Sequence, residues 1–577
     1  MSEAAISDPR PLAAVLVSAV AIVFILASHR HPNVRESWSV LAAIAKFAIV
    51  VSMLPAVLGG DEFRWSLGEF VAGADGPGIE FALRADPLGM LFATLASLLW
   101  VFTAFYAVGY MRGLDEHAQT CFFAAFAASL SAALGIAFAE NLFTIFIFYE
   151  LLSVATYPLV AHDETDEARA AGRKYLAYTF FGGGVLVLAG TALVFVLAGT
   201  TTFGETAAGL ASADPTLARA AFAILAAGFG VKAALMPLHS WLPDAMVAPT
   251  PVSGLLHAVA VVKSGVFGIA RVVLEVFEPE LVGELGVGIV LAAVAAFTLT
   301  AASIIALRTD RLKRRLAYST VSQLSYIVLG LGLAGPAAVA GAGLDTVVRG
   351  GLLHIPAHAF MKLTLFFCAG IIHVETHTDY ISEMNGLGKR MPLTMTAFAV
   401  AAAGMAGIPL VAGFVSKWFL LVGSVEAGQA VFAVVLVLSG VLNIAYFWPI
   451  VYGAFFESHA APDGKPLVEG PLGGYLGRSA TADDSEAIAD GGEPAPGENA
   501  HDNEDADHTH HDHEQDDHHG GSGPGGWDRA GWTGGEGSWL MLGPILAIAA
   551  GSIVLGILPC EAAFLELIEL VAEGVSA

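Results

Sequence analysis

Charged residues are scarce in this chain of 577 residues, in which only 14% of the positions are Asp, Glu, Lys or Arg. A soluble domain carries about 25%. Because 56% of the residues are hydrophobic, most of the chain must lie in an apolar solvent rather than in water. The net charge of −26 also argues against a nucleic-acid-binding protein, which would need a basic surface.

Cysteine is equally rare. The three cysteines, Cys121, Cys368 and Cys560, lie in or at the ends of apolar segments and show no metal-ligand spacing. They are interpreted as small hydrophobic residues of the core, so no metal site is expected from them.

In contrast to charged residues and cysteine, long apolar runs are abundant in the chain. A membrane-spanning helix needs about 20 apolar residues, and fourteen runs approach that length. They lie near 12–28, 38–58, 87–110, 118–139, 141–160, 174–198, 217–240, 252–277, 283–306, 314–334, 345–372, 393–423, 427–455 and 538–559. The sequence therefore predicts an all-α, polytopic membrane bundle of about 14 transmembrane helices, in which the fourth and fifth spans have almost no loop between them.

The loops between these spans differ in charge. Most loop arginines and lysines fall in odd-numbered loops, above all in the cluster at 308–315. Because basic loops stay in the cytoplasm, we predict that the odd loops are cytoplasmic. The chain would then be a multi-pass protein of the cell membrane with both termini outside.

The thirteenth loop, 456–537, is acidic and rich in histidine. It holds 19 of the 53 acids but 3 of the 27 basic residues. Such a segment cannot bury enough apolar surface to fold, so we interpret it as a disordered cytoplasmic tether. Its acidity also predicts a halophilic host. Weak metal binding is the alternative function of its histidines, of which the central ones are His508, His510, His511 and His513.

Ionisable residues inside the spans are costly and therefore indicate function. Four of the nine lysines lie deep in predicted spans, and a fifth, Lys46, is nearer the end of its span, where it could snorkel. Glu150, His257, His354 and His358 are also within spans. The four deep lysines are Lys232, Lys263, Lys362 and Lys417.

A buried lysine can load and release a proton near neutral pH, because burial disfavours the charged ammonium. A carboxylate stabilises that charge, so movement of Glu150 relative to Lys232 would switch the proton affinity of the lysine. His354, His358 and Lys362 are four residues apart and line one helix stripe that can pass a proton along through water. A His-x3-His pair can also bind a metal, which leaves a metal-ion transporter as a minor alternative.

Two spans contain helix-breaking residues. Pro237 follows Lys232 in span seven, and Gly407 and Pro409 precede Lys417 in span twelve. Breaks five spans apart predict two five-helix repeats, spans 4–8 and 9–13, in inverted orientation.

These features divide the chain into four expected regions. They are helices one and two with an outer loop (1–84), a proton-translocating core that holds both repeats (85–455), the acidic loop (456–537) and transmembrane helix fourteen (538–577).

Over roughly residues 85–455 the chain resembles the antiporter-like proton-pumping subunits shared by respiratory complex I, membrane-bound hydrogenases and Mrp-type sodium/proton antiporters. The matching stretches occur in the family's order. They are FIFYELLSVATYPLV (146–160), VKAALMPLHSWLPDA (231–245), APTPVSGLLHAVAVVKSG (248–265), LKRRLAYSTVSQLSY (312–326), HAFMKLTLFFCAG (358–370) and GIPLVAGFVSKW (407–418).

The resemblance implies a hydrated axis along the middle of the membrane that joins two half-channels. Six residues match positions of that axis: Glu150, Lys232, Lys263, His358, Lys362 and Lys417. The resemblance also implies that the chain needs no cofactor, that its partners are other membrane subunits, and that H⁺ and Na⁺ are transported; no nucleic-acid partner is expected.

Two functions remain open at this point. The first is a transport subunit of an Mrp antiporter, most similar to the D-type subunit of that complex. The second is a proton-pumping subunit of an NADH- or ferredoxin-linked oxidoreductase or of a hydrogenase, in which case the chain is part of a redox enzyme. Lys417 disfavours the complex I subunit that has glutamate in span twelve, whereas PTPVSGLLH (249–257) is closer to the A-type Mrp subunit or to complex I.

Overall fold

The computed structural model describes residues 6–71, 78–458, 535–558 and 563–576, and these ranges are mostly helical. The helices up to residue 271 are α1 (Arg10–Ala27), α2 (Pro32–Leu58), α3 (Pro87–Gly113), α4 (Gln119–Ala137), α5 (Leu142–Val160), α6 (Asp166–Leu176), α7 (Val185–Ala198), α8 (Ala207–Ser212), α9 (Pro215–Lys232), α10 (Trp241–Asp244), α11 (Thr250–Gly254) and α12 (Val261–Arg271). The later helices are α13 (Glu278–Glu284), α14 (Val287–Leu307), α15 (Leu312–Ala340), α16 (Leu344–Thr376), α17 (Pro392–Ala406), α18 (Ala412–Glu426), α19 (Ala430–Phe456), α20 (Trp539–Ile557) and α21 (Ala563–Ser576). A π-helical stretch, Ala177–Gly184, joins α6 to α7.

Within the described ranges, eleven helical segments are long and apolar enough to cross a membrane, with α6 and α7 counted as one. They coincide with eleven of the predicted spans, and the closely spaced fourth and fifth spans are the separate helices α4 and α5. The three remaining predicted spans are helices that the structure interrupts. The prediction of a polytopic helical bundle is therefore confirmed.

Spans seven and twelve are broken near their prolines. Helix α9 ends at Lys232, and Pro237 lies in the non-helical stretch before α10. Helix α17 ends at Ala406, Gly407 adopts a φ of +89°, and α18 begins only at Ala412. Proline lacks the N–H that a continuous helix requires, and glycine tolerates positive φ, so each sequence ends its helix locally.

Span eight is interrupted as well, which was not predicted. Between α11 and α12 the chain passes through a π-helical stretch, Leu255–Val259, and a second one, Val272–Val276, follows α12. Such stretches occur often at functional sites, and here one of them carries His257.

The region before residue 85 is more than two helices and a loop. Strand β1 (Ile6–Ser7) pairs in parallel with β2 (Phe63–Val71), which pairs antiparallel with β3 (Ile79–Ala85). Alternating apolar and polar residues in FRWSLGEFV and IEFALRA favour this small sheet. Because β1 pairs with the chain between α2 and α3, the N-terminal end of the described chain lies on the same side as the second loop.

The region after span fourteen also differs from the prediction of a single transmembrane helix. A separate amphipathic helix, α21, follows α20 and packs against α3 and α16. Glu569 of α21 forms an ion pair with Arg349 of α16 at 3.4 Å. This helix therefore folds back onto the bundle.

The loops sort into two groups around two cavities. A cavity of about 590 Å³ is lined from loops three, five, seven, nine and eleven, for example by Glu116, Asp163 and Asp379. A second one of about 620 Å³ is lined from loops two, six and eight and by α21, for example by Glu62 and Glu275. Odd and even loops thus collect separately, as a chain that crosses a membrane repeatedly requires, and both ends of the described chain lie with the even loops.

The acidic loop is not part of this description. Residues 459–534, with His508, His510, His511 and His513, lie outside the described residues. The four-region division of the chain and its inverted repeats remain predictions.

Candidate functional site

The deep lysines lie inside the bundle and not on its lipid-facing surface. Lys232, Lys263 and Lys362 have no exposed surface, and Lys417 is half-buried. His354 and His358 are fully buried too. The structure therefore places three of the four lysines and both histidines in the protein interior, and Lys417 at a partly covered position.

Glu150 and Lys232 come from α5 and from the end of α9. The Lys232 ammonium donates to the Tyr149 carbonyl at 2.5 Å and lies 3.4 Å from the centre of the Tyr149 ring. Among the described residues no ion pair joins it to Glu150, whose Oε1 has no hydrogen-bond partner. The carboxylate fits against the π-helical stretch only because Gly184 has no side chain, since a Cβ there would collide with it. Lysine and carboxylate are thus neighbours that are not locked together.

Lys263 of α12 contacts the middle of α16. Its ammonium lies 2.9 Å from His358 Nδ1 and donates to the Ile355 carbonyl at 3.0 Å. Helix α12 also packs closely on α9, because a Cβ at Gly265 would lie 2.7 Å from the Lys232 carbonyl carbon. The lysine of span eight therefore links the end of α9 to the histidines of span eleven.

His354 continues the series toward the broken span twelve. Its Nδ1 lies 2.8 Å from Ser416 Oγ, its Nε2 lies 3.0 Å from Gln323 Oε1, and its ring centre is 6.3 Å from that of His358. Tyr326 stacks on this ring at 5.3 Å, and the Lys417 ammonium lies 4.7 Å from the Tyr326 ring centre. We call Lys263, His358, His354, Ser416 and Lys417 the central line.

Lys417 owes its position to the break in span twelve. The end of α17 leaves backbone carbonyls without helical partners, and the Lys417 ammonium donates to one of them, Met405 O, at 2.5 Å. Asn443 of α19 donates to the same oxygen at 3.1 Å. The broken helix thus supplies a buried acceptor at one end of the central line.

Lys362 lies one helical turn after His358 but points to α15. It donates to Ser319 Oγ at 2.5 Å and to the Leu316 carbonyl at 3.1 Å. The stripe of His354, His358 and Lys362 is therefore split, with each residue bound to a different set of partners.

The lysine partners share one chemical property. In the part of the chain that the structure describes, Lys232, Lys263, Lys362 and Lys417 form no salt bridge, and their acceptors are carbonyls, a hydroxyl and an imidazole. An ammonium has three donors, and a buried charge without a counter-charge is costly. The neutral partners leave each of these ammonium groups without a counter-charge in the described structure.

The expectation that Lys46 snorkels to the interface was wrong. Its side chain is fully buried; it donates to the Leu130 carbonyl at 2.8 Å and lies 5.0 Å from the Trp100 ring centre. These partners belong to α4 and α3 and not to the central line, so Lys46 is a buried lysine of the α2–α3–α4 packing.

Several polar residues of the site were missed. Tyr149, Ser319, Gln323, Tyr326 and Ser416 contact the lysines or histidines directly. Each is a small or aromatic polar residue in a helix, which the sequence alone cannot distinguish from core packing. Two of them, Ser319 and Gln323, are four residues apart on α15, and that spacing was the available signal.

A metal ion does not fit the helical histidines. His354 has both ring nitrogens hydrogen-bonded, and His358 Nδ1 faces the ammonium of Lys263. A cation bound there would be repelled by the lysine, so the His-x3-His pair is not arranged as a metal site.

A different charge cluster lies at the even-loop end of α12. Arg271, fully buried, binds Asp86 at 2.5 and 2.8 Å and Glu275 at 2.6 Å. Arg84 joins them at 3.3 Å from Asp86. Burial, together with the charge of Asp86, raises the pKa of the nearby Glu62. Here every cation has a carboxylate.

The odd-loop cavity is also lined by ion pairs. Lys174 binds Asp244 at 2.6 Å, and Asp379 accepts from His373 at 3.0 Å, a hydrogen bond that lowers the pKa of Asp379. Burial raises the pKa of Glu116 in the same cavity. The cavity thus brings together titratable groups from the odd loops and from the adjoining helix ends.

Known proteins match this chain over the region of the site. Residues 139–443 fit the family described as NADH:quinone oxidoreductase/Mrp antiporter, TM. The N subunit of NADH-quinone oxidoreductase from Desulforudis audaxviator is 33% identical, over 74% of this chain and 81% of that protein. The probable K⁺/H⁺ antiporter A/B subunit of Rhizobium meliloti is 32% identical over 72% of this chain, which spans only 40% of that longer protein.

A solved structure has the same fold. A chain in the structure of the Mrp complex from Dietzia sp. superposes with a TM-score of 0.72 over 97% of both chains, at 22% identity. At that identity the likeness concerns the fold and not the transported ion.

Proposed function

The chain belongs to the membrane-subunit family of NADH:quinone oxidoreductases and Mrp antiporters, and on that premise we propose that it is a proton-translocating subunit of a multisubunit monovalent cation/proton antiporter. Its partners are other membrane subunits, and H⁺ and Na⁺ are the transported ions. Within the antiporter, the lysine of the broken span twelve favours the role of the D-type subunit.

The central line carries this proposal. Protonatable groups follow one another from Lys263 through His358 and His354 to Lys417, with Ser416 bridging between α16 and α18. Lys263 is hydrogen-bonded to His358 and His354 to Ser416, and the gap between the two histidine rings requires a water molecule or a side-chain rotation for a proton to pass. Lys232 and Glu150 lie at the α9 end of this line, where an approaching carboxylate would raise the proton affinity of the lysine.

The sidedness follows from loop charge. The odd loops carry the basic cluster, so the odd-loop cavity faces the cytoplasm and both termini face outside. The cavity with Glu116, Lys174 and Asp379 is then where protons exchange with the cytoplasm, and the Arg271 cluster closes the outer end of α12.

A redox-driven pump is the second candidate. The similarity to the N subunit of NADH-quinone oxidoreductase over 81% of that protein supports it. The same line of lysines would then be driven by electron transfer in another subunit. The two functions differ in the partners and the energy source, and not in the chemistry of this chain.

The test is proton translocation by Glu150→Ala and Lys232→Ala in membrane vesicles that contain the complete complex, with this chain tagged. We expect a loss of about 100-fold or more, with unchanged assembly. Lys46→Met is the matched control, because Lys46 is equally buried but outside the line, and it should transport normally. Transport by both site variants at the wild-type rate would refute the proposal.

The same tagged preparation separates the two candidates. Co-purified small membrane subunits and a sodium-dependent pH gradient support the antiporter. Co-purified iron–sulfur or flavin subunits, with transport that requires an electron donor, support the redox pump.

A further inference from the structure

Two odd loops meet at a cluster of metal-ligand side chains outside the central line. Glu116 and His117 lie between α3 and α4, and His162 lies between α5 and α6. One ligand atom from each of them falls within 4.8 Å of the others. Glu116 Oε2 is 3.8 Å from His117 Nδ1 and 3.9 Å from His162 Nε2.

His162 supplies the observation that points to a ligand. Its side chain is only 3% exposed, and its Nε2 has no hydrogen-bond partner. That nitrogen lies 3.9 Å from the Glu116 carboxylate, on the side of the other two ligands. Leaving a buried polar atom without a hydrogen-bond partner costs free energy, and a bound ion would remove that cost.

We propose that Glu116, His117 and His162 bind one divalent transition-metal ion, with Zn²⁺ as the best fit. Two imidazoles and one carboxylate form a zinc ligand set that leaves a fourth position for water. Neighbouring ligands around tetrahedral zinc lie about 3.4 Å apart, given bond lengths of about 2.0–2.1 Å. The two histidine–carboxylate separations of 3.8 and 3.9 Å exceed that value by about 0.5 Å, and the two imidazoles lie within 4.8 Å of each other, so the two loops have to close on the ion.

The ligand types exclude the common hard cations. Ca²⁺ and Mg²⁺ prefer shells of oxygen ligands, and this cluster offers a single carboxylate with two nitrogens. The charge of the surroundings is mixed, because Asp163 favours a cation whereas Lys313 and His373 oppose it. Specific coordination by the three side chains, and not a general negative potential, therefore has to hold the ion.

The three proposed ligands lie at the rim of the odd-loop cavity, close to the end of α5. His162 belongs to the loop after α5, and α5 is the helix that carries Glu150. Glu116 also lines the odd-loop cavity. A bound ion would join two loops at the rim of that cavity. Binding of the ion is independent of the proposed function, because it can be measured without transport.

The test is a Zn²⁺ titration of the full-length purified chain against a chromogenic chelator. The seven histidines of 501–519 are first changed to asparagine, so that they cannot compete. We expect one Zn²⁺ per chain, and both His162→Asn and His117→Asn should weaken binding by about 100-fold or more. His31→Asn, which alters an exposed histidine of loop one, should bind as the parent does.

The possible results of this titration either support the proposed Zn²⁺ site or overturn it. No stoichiometric binding by the parent, or equal binding by the parent and both site variants, overturns the site. Should His162→Asn fail to accumulate, His117→Asn decides alone, because His117 is half exposed and its loss leaves the core intact. Mg²⁺ at the same concentration should not displace Zn²⁺, and displacement would also overturn the assignment.

Discussion

Lys263 and Arg271 are two buried cations on one helix, α12, and neither has any exposed surface. Arg271 is bound by two carboxylates, Asp86 and Glu275, at 2.5–2.8 Å. Lys263 is bound only by a histidine and a backbone carbonyl, at 2.9 and 3.0 Å. The two sites lie two helical turns apart and differ in partners, not in burial.

That difference separates a structural charge from an exchangeable one. Arginine stays protonated in proteins, and its planar fork matches carboxylates, so the Arg271 cluster is a fixed set of charges. Lysine can release its proton, and neutral partners do not oppose the release. The chemistry of the partners, more than depth in the membrane, therefore identifies the residues that can carry protons.

The largest effect should come from breaking the fixed cluster. Arg271→Met leaves the two carboxylates of Asp86 and Glu275 to share Arg84, which lies 3.3 and 3.9 Å from them, and the loss of one buried counter-charge should cost about 3 kcal/mol of folding free energy. The thermal midpoint of the purified complex, or the amount of chain in the membrane, measures this loss.

A compensating variant serves as the control for that prediction. Adding Glu275→Gln to Arg271→Met removes one of the two competing carboxylates and leaves Asp86 paired with Arg84 at 3.3 Å. We expect part of the stability to return. If the single variant proves as stable as the wild type, the cluster is not the fixed anchor that its geometry indicates.

A smaller effect on stability, but a large one on transport, is expected at Lys263. Lys263→Met removes an ammonium with neutral partners and should change the folding free energy by about 1 kcal/mol or less, whereas proton translocation should fall by about 100-fold. Lys263→Arg tests whether the residue must release a proton, because arginine keeps the positive charge but does not deprotonate. We expect Lys263→Arg to be inactive as well, and an active arginine variant would mean that only the charge matters at this position.

The smallest of these effects should come from shifting the Glu150 carboxylate, the neighbour of Lys232, without removing it. Gly184→Ala places a methyl group against that carboxylate and should displace it, which would lower transport severalfold without loss of the protein. Gly182→Ala is the matched control, because a Cβ there meets only the Ala177 carbonyl at 3.3 Å. Equal transport by both variants would show that the position of Glu150 is not critical.

The helical spans, the two breaks and the deep lysines could be predicted from the sequence, because apolar run length, proline and intramembrane charge are local signals. The break in span eight and the burial of Lys46 could not. The π-helical stretch at Leu255–Val259 contains no proline, so nothing in the local sequence marks it. Lys46 is covered by Leu130 and Trp100 from two other helices, and such contacts depend on helix packing.

The amino-acid sequence by itself determined a helical membrane bundle with protonatable residues inside it, since the bilayer requires long apolar helices and penalises every buried charge. Only the tertiary structure decided which of the buried cations have carboxylate partners and which have neutral ones. Partners such as Asp86 for Arg271 and His358 for Lys263 lie 185 and 95 residues away along the chain. The character of a buried cation is set by the groups that packing brings to it, and packing joins residues that the sequence keeps far apart.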